Sequence, residues 1–254
     1  MSAPLLRFAH VTYRHAGAVT PALADVTLEV TAGEVVALAG APGAGATTFL
    51  LVAGGFAPRL VGGTLDGTLH RAAARPGIVF AAPWTQLTGL CQTVLAEVAF
   101  GPAGLGLPRE AVRAAAERAL ERLGVLHLAG RDPATLSGGE LQRVVVAAAL
   151  ALEPDLLLLD DPAAELDPAG ADALYALLPD VAAAGAAVLV ATPDTERAAR
   201  AATRAVRLDG GRVVADGVPA AVLAETPAAR IARAAGCPAP LPLDVDALVA
   251  RVAR

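Results

Sequence analysis

The chain has 254 residues and a net charge of -5, and all 20 of its basic residues are arginines. This acidic balance argues against a nucleic-acid-binding surface, which requires a basic stripe, and two cysteines are too few for the disulfide framework of a small secreted protein. Hydrophobic residues make up 55% of the chain but aromatic residues only 3%, which predicts an aliphatic core.

The first 30 residues alternate apolar and polar side chains, as in LLRFAHVTYRH and ALADVTLEV. This period predicts short antiparallel strands. The N-terminal residues lack the basic and long apolar segments of a signal peptide. The uncharged stretch that begins at Val35 is interrupted by glycines and prolines, unlike a membrane span. We therefore expect a soluble protein that only a partner holds at a membrane.

A phosphate-binding loop is predicted directly after the apolar run GEVVALAG, which is typical of a buried parallel strand. Residues 40–47 (GAPGAGAT) match the pattern G-x-x-x-x-G-K-[ST], except that Ala46 stands at the lysine position, and a short helix (TTFLLVAG) follows. Backbone amides from Gly43 to Thr47 still predict an anion cradle, and Thr47 keeps a hydroxyl for Mg²⁺. Taken alone, such a loop is equally compatible with an ordinary tight turn.

The missing lysine ammonium would have contacted the β- and γ-phosphates of a nucleotide. Loss of one charge-assisted donor costs roughly 1.5–3 kcal/mol of binding, and loss of one transition-state donor costs roughly 10²–10³-fold in rate. Since the chain contains no lysine, no other lysine of this chain can replace it.

A helical lobe is predicted from about Trp84 to Pro133. Its clearest helix is PREAVRAAAERALERLG, in which Pro108 fits the first helical position and Gly124 the C-terminal stop. The apolar residues of that segment share one face. They are Val112, Ala115, Ala116, Ala119, Leu120 and Leu123.

Another helix is predicted from Glu140 to Leu152, where Ser137 and Glu140 have the S-x-x-E spacing of a capping box. Apolar runs at 155–161 and 186–192 predict two more buried strands. Alternating strands and helices indicate an α/β fold, with a mostly parallel sheet covered by helices on both faces. Residues from about 225 onward are rich in alanine and proline and are predicted to be helical only in part.

Three motifs together resemble those of ABC ATPases: the glycine-rich loop, the segment LSGGE with the LQR that follows it, and the strand LLLLD with its continuation DPAAELDP. Their order and spacing match that family. The matching positions are Gly40, Gly43, Gly45, Ala46, Thr47 and Thr48 in the loop, Leu136, Ser137, Gly138, Gly139 and Glu140 in the signature, Asp160 and Asp161 after the Walker B strand, and Leu166 and Asp167 in the D-loop.

This resemblance implies an α/β P-loop NTPase fold of the RecA-like ABC ATPase type. It implies an N-terminal antiparallel β subdomain, a helical lobe inserted at about 84–135, a nucleotide-binding domain over 1–230 and a C-terminal tail over 231–254. Pro83, Gln86 and the stretch 93–108 are similar to a narrower group, the energy-coupling factor (ECF) ATPases, which power uptake of vitamins and metal ions.

The resemblance also implies a mechanism in which two ATPase subunits face each other head to tail. Each ATP lies between the loop of one subunit and the signature of the other, with Mg²⁺ held by residues equivalent to Thr47 and Asp160. The implied partners are a second ATPase subunit with intact motifs, a transmembrane coupling subunit and a substrate-binding membrane subunit, without nucleic acid. The implied location is peripheral, on the cytoplasmic face of the plasma membrane.

Four positions depart from the family pattern. Ala46 replaces the loop lysine, Ala81 stands at the Q-loop glutamine, and Pro193 stands at the switch histidine. Asp161 replaces the catalytic glutamate with a side chain one methylene shorter, and a displacement of about 1 Å costs about 10²-fold in rate. These changes predict that hydrolysis at the chain's own loop is nearly abolished.

At the adenine-stacking position the chain has His15, and Tyr13 is an alternative platform. The intact signature predicts that the chain completes the active site of a competent partner in an asymmetric pair. Two alternatives stay open: a non-hydrolysing scaffold or regulatory nucleotide-binding protein, and a soluble ABC-type ATPase that acts on nucleic acid or ribosomes. The last usually needs tandem modules or basic insertions, which the sequence lacks.

Overall fold

A computed structural model describes residues 3–73, 75–223 and 234. In chain order its strands and helices are β1 (Leu6–Arg14), β2 (Leu23–Val30), β3 (Val35–Gly40), α1 (Ala46–Ala53), β4 (Thr64–Arg71), β5 (Pro76–Val79), α2 (Val94–Gly104), α3 (Arg109–Arg122), α4 (Gly138–Ala151), β6 (Leu156–Asp160), α5 (Pro168–Ala183), β7 (Ala187–Ala191), α6 (Thr195–Ala201), β8 (Arg204–Asp209), β9 (Arg212–Gly217) and α7 (Pro219–Val222).

A three-stranded antiparallel sheet has the order β2-β1-β4. Burial alternates along β2, as expected for a strand with one face on the core. The pairing of β1 shifts register between Phe8 and Val11, where His10 has a positive φ of 54°, so that Val11 and Tyr13 also face inward. The predicted N-terminal antiparallel strands are thereby confirmed.

A six-stranded sheet has the order β5-β6-β7-β3-β8-β9, in which only β9 is antiparallel to its neighbour. Strand β7 is buried along its whole length, and β3 and β6 are buried up to their last residues, which accounts for their continuous apolar sequences. The predicted α/β fold and the strands near 155–161 and 186–192 are confirmed. Helix α5 and the hairpin of β8 and β9 were not predicted.

The core lies on both faces of this sheet, because successive side chains of a strand point to opposite faces. On one face, Val35 and Leu157 pack with α4 and α5. On the other face, Val36 and Leu158 pack with α1 and the three-stranded sheet. Buried aromatic residues are few, and Phe8 stacks on Phe49 with 4.6 Å between ring centroids.

The helical lobe consists mainly of α2 and α3, which pack on each other and on α4. The expected position of Pro108 was wrong by one residue: its extended ψ of 145° makes it the N-cap of α3. The expected start of α4 at Glu140 was also late, because a capping box at Ser137 requires the helix to begin at the next residue. Gly124 has a positive φ of 67° just beyond α3, as predicted for a helix stop.

Among the described residues, no helix has both the length and the apolar character needed to cross a bilayer. The predicted C-terminal tail over 231–254 lies outside the described residues, except for residue 234.

Candidate functional site

A cavity of about 360 Å³ opens where β3, β6 and β7 end at the same edge of the sheet. In parallel sheets, ligands bind outside the carboxyl ends of the strands, so this edge is the expected place for a site. Its lining combines the glycine-rich loop with the residues that follow β6 and β7. The lining residues are Ala22, Leu38, Gly40, Ala41, Pro42, Gly43, Ala44, Gly45, Ala46, Thr47, Thr48, Asp160, Asp161, Ala191, Thr192 and Pro193.

The glycine-rich loop has the conformation of an anion cradle. Gly43 and Gly45 have positive φ values of 84° and 103°, which favour glycine. A Cβ atom on Gly45 would lie 2.6 Å from the carbonyl oxygen of Ala22, so that this position also excludes a side chain for lack of space. The loop leads directly into α1, whose first amides lack intrahelical acceptors.

The lysine position contributes no charge to the cavity. Ala46 begins α1 and packs its methyl group partly against the core. Of the described residues that line the cavity, none is an arginine or a histidine. The cradle therefore offers backbone dipoles to an anion, without a side-chain cation beside them.

Asp160 ends β6 next to the loop, and its carboxylate forms a hydrogen bond with the Thr47 side chain. Burial raises the pKa of the Asp160 carboxyl, and the Thr47 hydrogen bond opposes that shift. A hydroxyl and a carboxylate at this point are the oxygen ligands that Mg²⁺ prefers. The donor set thus fits the predicted metal.

Asp161 is held in a left-handed backbone conformation with φ of 46°, and its amide donates to the carbonyl of Ala191 at 2.7 Å. Its Oδ1 accepts a hydrogen bond from the Thr192 hydroxyl at 3.3 Å. Burial raises the pKa of the Asp161 carboxyl; the Thr192 bond lowers it, and the nearby Asp160 and Asp194 carboxylates raise it. The net direction is upward, so Asp161 is a stronger base than an exposed aspartate.

The segment after β7 has no imidazole. Pro193 lines the cavity, and the next residue, Asp194, caps α6. Asp194 also pairs with Arg197 at 2.5 Å, and Arg197 in turn pairs with Asp172 of α5 at 2.6 Å. The segment is therefore tied to its own subunit's helices. Sequence reasoning missed Thr192, although its position at the end of a buried strand placed it at the same edge as Asp161.

The residue at the Q-loop position does not line the cavity. Ala81 is half-buried and is not among the cavity residues. Gln86, five residues later, accepts from the Phe80 amide at 3.0 Å and donates to the Phe80 carbonyl at 3.2 Å. These two hydrogen bonds close the loop after β5 and use both the oxygen and the nitrogen of the Gln86 amide.

The predicted adenine platforms have different surroundings. Tyr13 is fully buried, and its hydroxyl donates to the carbonyl of Gly62 at 2.5 Å. A buried ring has no face open to a base, so the interpretation of Tyr13 as a platform was wrong. His15 is half-buried, and its Nε2 lies 3.1 Å from the hydroxyl of Thr48, a residue of the cavity; its role stays a prediction.

The signature segment has the predicted capping box but lies outside the cavity of its own chain. The Glu140 carboxylate accepts from the Ser137 amide at 2.8 Å and from its hydroxyl at 2.9 Å. These bonds lower the pKa of Glu140, the backbone bond most strongly. In the D-loop, Asp167 caps α5 by accepting from the amide of Gly170 at 2.8 Å.

The comparisons with known proteins agree with this geometry. The profile of a family described as ABC transporter matches residues 23–164. The chain is 40% identical over 231 residues to the cobalt import ATP-binding protein CbiO of Rhodobacter capsulatus, covering 87% of this chain and 81% of that protein. It is 35% identical over 240 residues to the energy-coupling factor transporter ATP-binding protein EcfA2 of Methanospirillum hungatei, covering 91% of this chain and 59% of that protein.

Some relatives are much longer than the region of similarity: the chain spans 38% of the length of a putative ABC transporter ATP-binding protein from Methanosarcina acetivorans. Among solved structures, cbiO1 from Clostridium perfringens, part of the ABC transporter complex cbiONQ, superposes with a TM-score of 0.76 at 28% identity. That match covers 88% of this chain and 92% of the solved chain.

Proposed function

Since the chain belongs to the ABC transporter family of ATP-binding proteins, we propose that it is the ATP-binding subunit of an ECF-type importer, with an impaired site of its own. Relatives named for cobalt import and for energy-coupling factor transport support the importer assignment. One observation carries the impairment: the loop cavity has Ala46 at the lysine position and no arginine or histidine among its described lining residues.

At this chain's own loop, the backbone amides of residues 43–47 would hold the phosphates, and Thr47 and Asp160 would hold Mg²⁺. The metal would neutralise phosphate charge when bound. Asp161 would accept the proton of the attacking water from a retracted position, since its side chain is one methylene shorter than that of glutamate. Without an ammonium, a Q-loop amide or an imidazole, this arrangement favours static binding over turnover.

The intact part of the chain is the signature, and its placement supports a role in trans. Ser137, Gly138 and Gly139 lie outside the chain's own cavity, at the start of a 14-residue helix. The amides at a helix start carry a partial positive charge that suits a terminal phosphate. We infer that this edge completes an ATP site on the loop of a partner ATPase with intact motifs.

The membrane partners proposed here are a transmembrane coupling subunit and a substrate-binding membrane subunit, with this chain peripheral on the cytoplasmic face of the plasma membrane. Exposed apolar side chains in the helical lobe support such a contact. Trp84 is 59% exposed, Leu90 is 76% exposed and Phe100 is 50% exposed. Contiguous exposed apolar patches mark interaction surfaces, and these three side chains are the proposed members of such a patch.

Reconstitution tests the assignment. The chain is purified with an ATPase that has intact motifs and with the membrane subunits, and ATP hydrolysis and uptake are measured in vesicles. We expect both activities in the complete assembly, and we expect an alanine at the partner's loop lysine to abolish them. The matched change Asp160→Asn in this chain should leave most of the activity.

The reverse pattern, with activity that survives the partner's change but is lost with Asp160→Asn, would contradict the proposal. An assembly that binds ATP through this chain without any effect on hydrolysis or uptake would favour the scaffold or regulatory alternative.

A further inference from the structure

Glu165 lies in the turn between β6 and α5, which is held tightly by its own backbone. The amide of Ala164 donates to the Asp161 carbonyl at 3.2 Å, and the amide of Leu166 donates to the Ala163 carbonyl at 3.0 Å. Leu166 packs against the core. The turn is therefore anchored on both sides of Glu165, while Glu165 itself is exposed.

The side chain of Glu165 lies against Gly138 of the signature, and its backbone carbonyl lies beside Gly139. A Cβ atom on Gly138 would lie 2.5 Å from Glu165 Oε2, and a Cβ atom on Gly139 would lie 3.1 Å from the Glu165 carbonyl oxygen. The carboxylate thus rests directly on the first residue of α4. A side chain at residue 138 would have to displace the Glu165 carboxylate, and one at residue 139 would press on the Glu165 backbone.

This contact places a second carboxylate at the start of the signature helix. Glu140 already accepts from both the amide and the hydroxyl of Ser137. In the described part of the chain, Glu165 has no ion pair or hydrogen bond of its own that would neutralise it. Since Arg131 pairs with Glu140 at 3.4 Å, Glu165 supplies the unpaired negative charge at the end of α4 that would otherwise attract an anion.

We propose that the Glu165 carboxylate occupies the place where the partner's terminal phosphate would approach the signature. It thereby weakens the ATP-driven closure of the two subunits. This inference rests on the proposed role of the signature in trans. A triphosphate and a carboxylate repel each other, and like charges opposed in an interface disfavour association. Closure on ATP requires the Glu165 carboxylate to leave Gly138.

The test uses this chain and the intact-motif partner ATPase, with the partner's catalytic carboxylate replaced by its amide so that ATP is not consumed. The dissociation constant of the pair is measured by sedimentation with and without Mg·ATP. We expect Glu165→Gln and Glu165→Ala each to tighten the ATP-dependent association about tenfold or more. The matched control Glu121→Gln, on the exposed surface of α3, should match the wild type.

Because Glu165 is exposed, both variants should melt at the wild-type temperature, and association without ATP should not change. If the wild-type pair closes on ATP but both Glu165 variants stay within twofold of it, or bind more weakly, the inference is wrong and the proposed function stands. If neither the wild type nor the variants respond to ATP, the trans role fails, and the inference fails with it.

Discussion

At the scale of single residues, Ala46 is the change that most weakens the phosphate loop. We expect Ala46→Lys to raise the affinity of the isolated chain for ATP about tenfold or more, since a charge-assisted hydrogen bond contributes roughly 1.5–3 kcal/mol. Turnover should stay low, because Ala81 and Pro193 still lack the functional groups that act with the lysine. Isothermal titration with Mg·ATP measures the affinity, and a phosphate-release assay measures the turnover.

Ala46→Met is the matched control, because it adds a side chain of similar reach without a charge. An equal gain in affinity for the methionine and lysine variants would show that packing, rather than the ammonium, limits nucleotide binding at this position.

The raised pKa of Asp161 gives a second prediction at this scale. Burial is its main cause, opposed by the hydrogen bond from Thr192. A carboxyl whose pKa is raised in the folded state stabilises the fold when it is protonated. This contribution is complete at a pH below the unfolded pKa, and it is lost as the pH rises through the folded pKa. Asp161→Asn should therefore raise the melting temperature at pH 7, on the order of 2 °C.

The pH dependence is the decisive readout, because asparagine also tolerates the positive φ of residue 161 better than most residues. The advantage of Asp161→Asn should shrink as the pH falls through the raised pKa of the folded state, and it should be gone below about 4, the ordinary pKa of an aspartate. Asp180→Asn serves as the control, because it makes the same change at an exposed position. An advantage that is the same at pH 3.5 and pH 7 would assign the effect to the backbone.

At the scale of elements, the loop between β3 and α1 depends on two glycines for different reasons. Gly43 has positive φ but open space around it, whereas a Cβ on Gly45 would also meet the Ala22 carbonyl. We expect Gly43→Ala to cost about 1–2 kcal/mol of unfolding free energy. Gly45→Ala should cost about 1–3 kcal/mol more because of overpacking. Urea unfolding of both variants measures the difference, and equal costs would argue against the close contact.

The start of α4 depends on the capping box of Ser137 and Glu140. Ser137→Ala should lower the unfolding free energy by about 0.5–2 kcal/mol, because an orphan amide of the helix loses its acceptor. Ser137→Asn should retain most of the stability, since asparagine is an equally good N-cap. Thermal melts of the two variants provide the comparison, and an alanine variant as stable as the wild type would indicate that the cap contributes little.

Element by element, the sequence predicted the strands whose apolar runs are continuous, because burial on both faces leaves a strong pattern in β3, β6 and β7. It did not predict the edge hairpin β8–β9, where polar residues interrupt the pattern. Helix α5 was missed because Pro168 and Pro179 obscure its period. Tyr13 was misplaced because the register shift in β1 reverses which residues face inward, and a simple alternation does not include such a shift.

At the scale of the whole molecule, the motif order predicted the family and the fold, and the structure brings the loop, Asp160, Asp161 and Pro193 to one cavity. The contact of Thr192 with Asp161, and that of Glu165 with the signature glycines, join segments that are distant in sequence. Pattern and spacing carry no information on such contacts. They follow only from which strands end at the same edge and which turns lie beside each other.

We propose that this chain's own loop holds nucleotide without efficient hydrolysis. The most direct measurement is phosphate release from Mg·ATP by the purified chain alone, with Asp160→Asn as the matched control. We predict a rate that Asp160→Asn does not lower further. Sustained, metal-dependent release by the wild-type chain that is lost in Asp160→Asn would contradict the account.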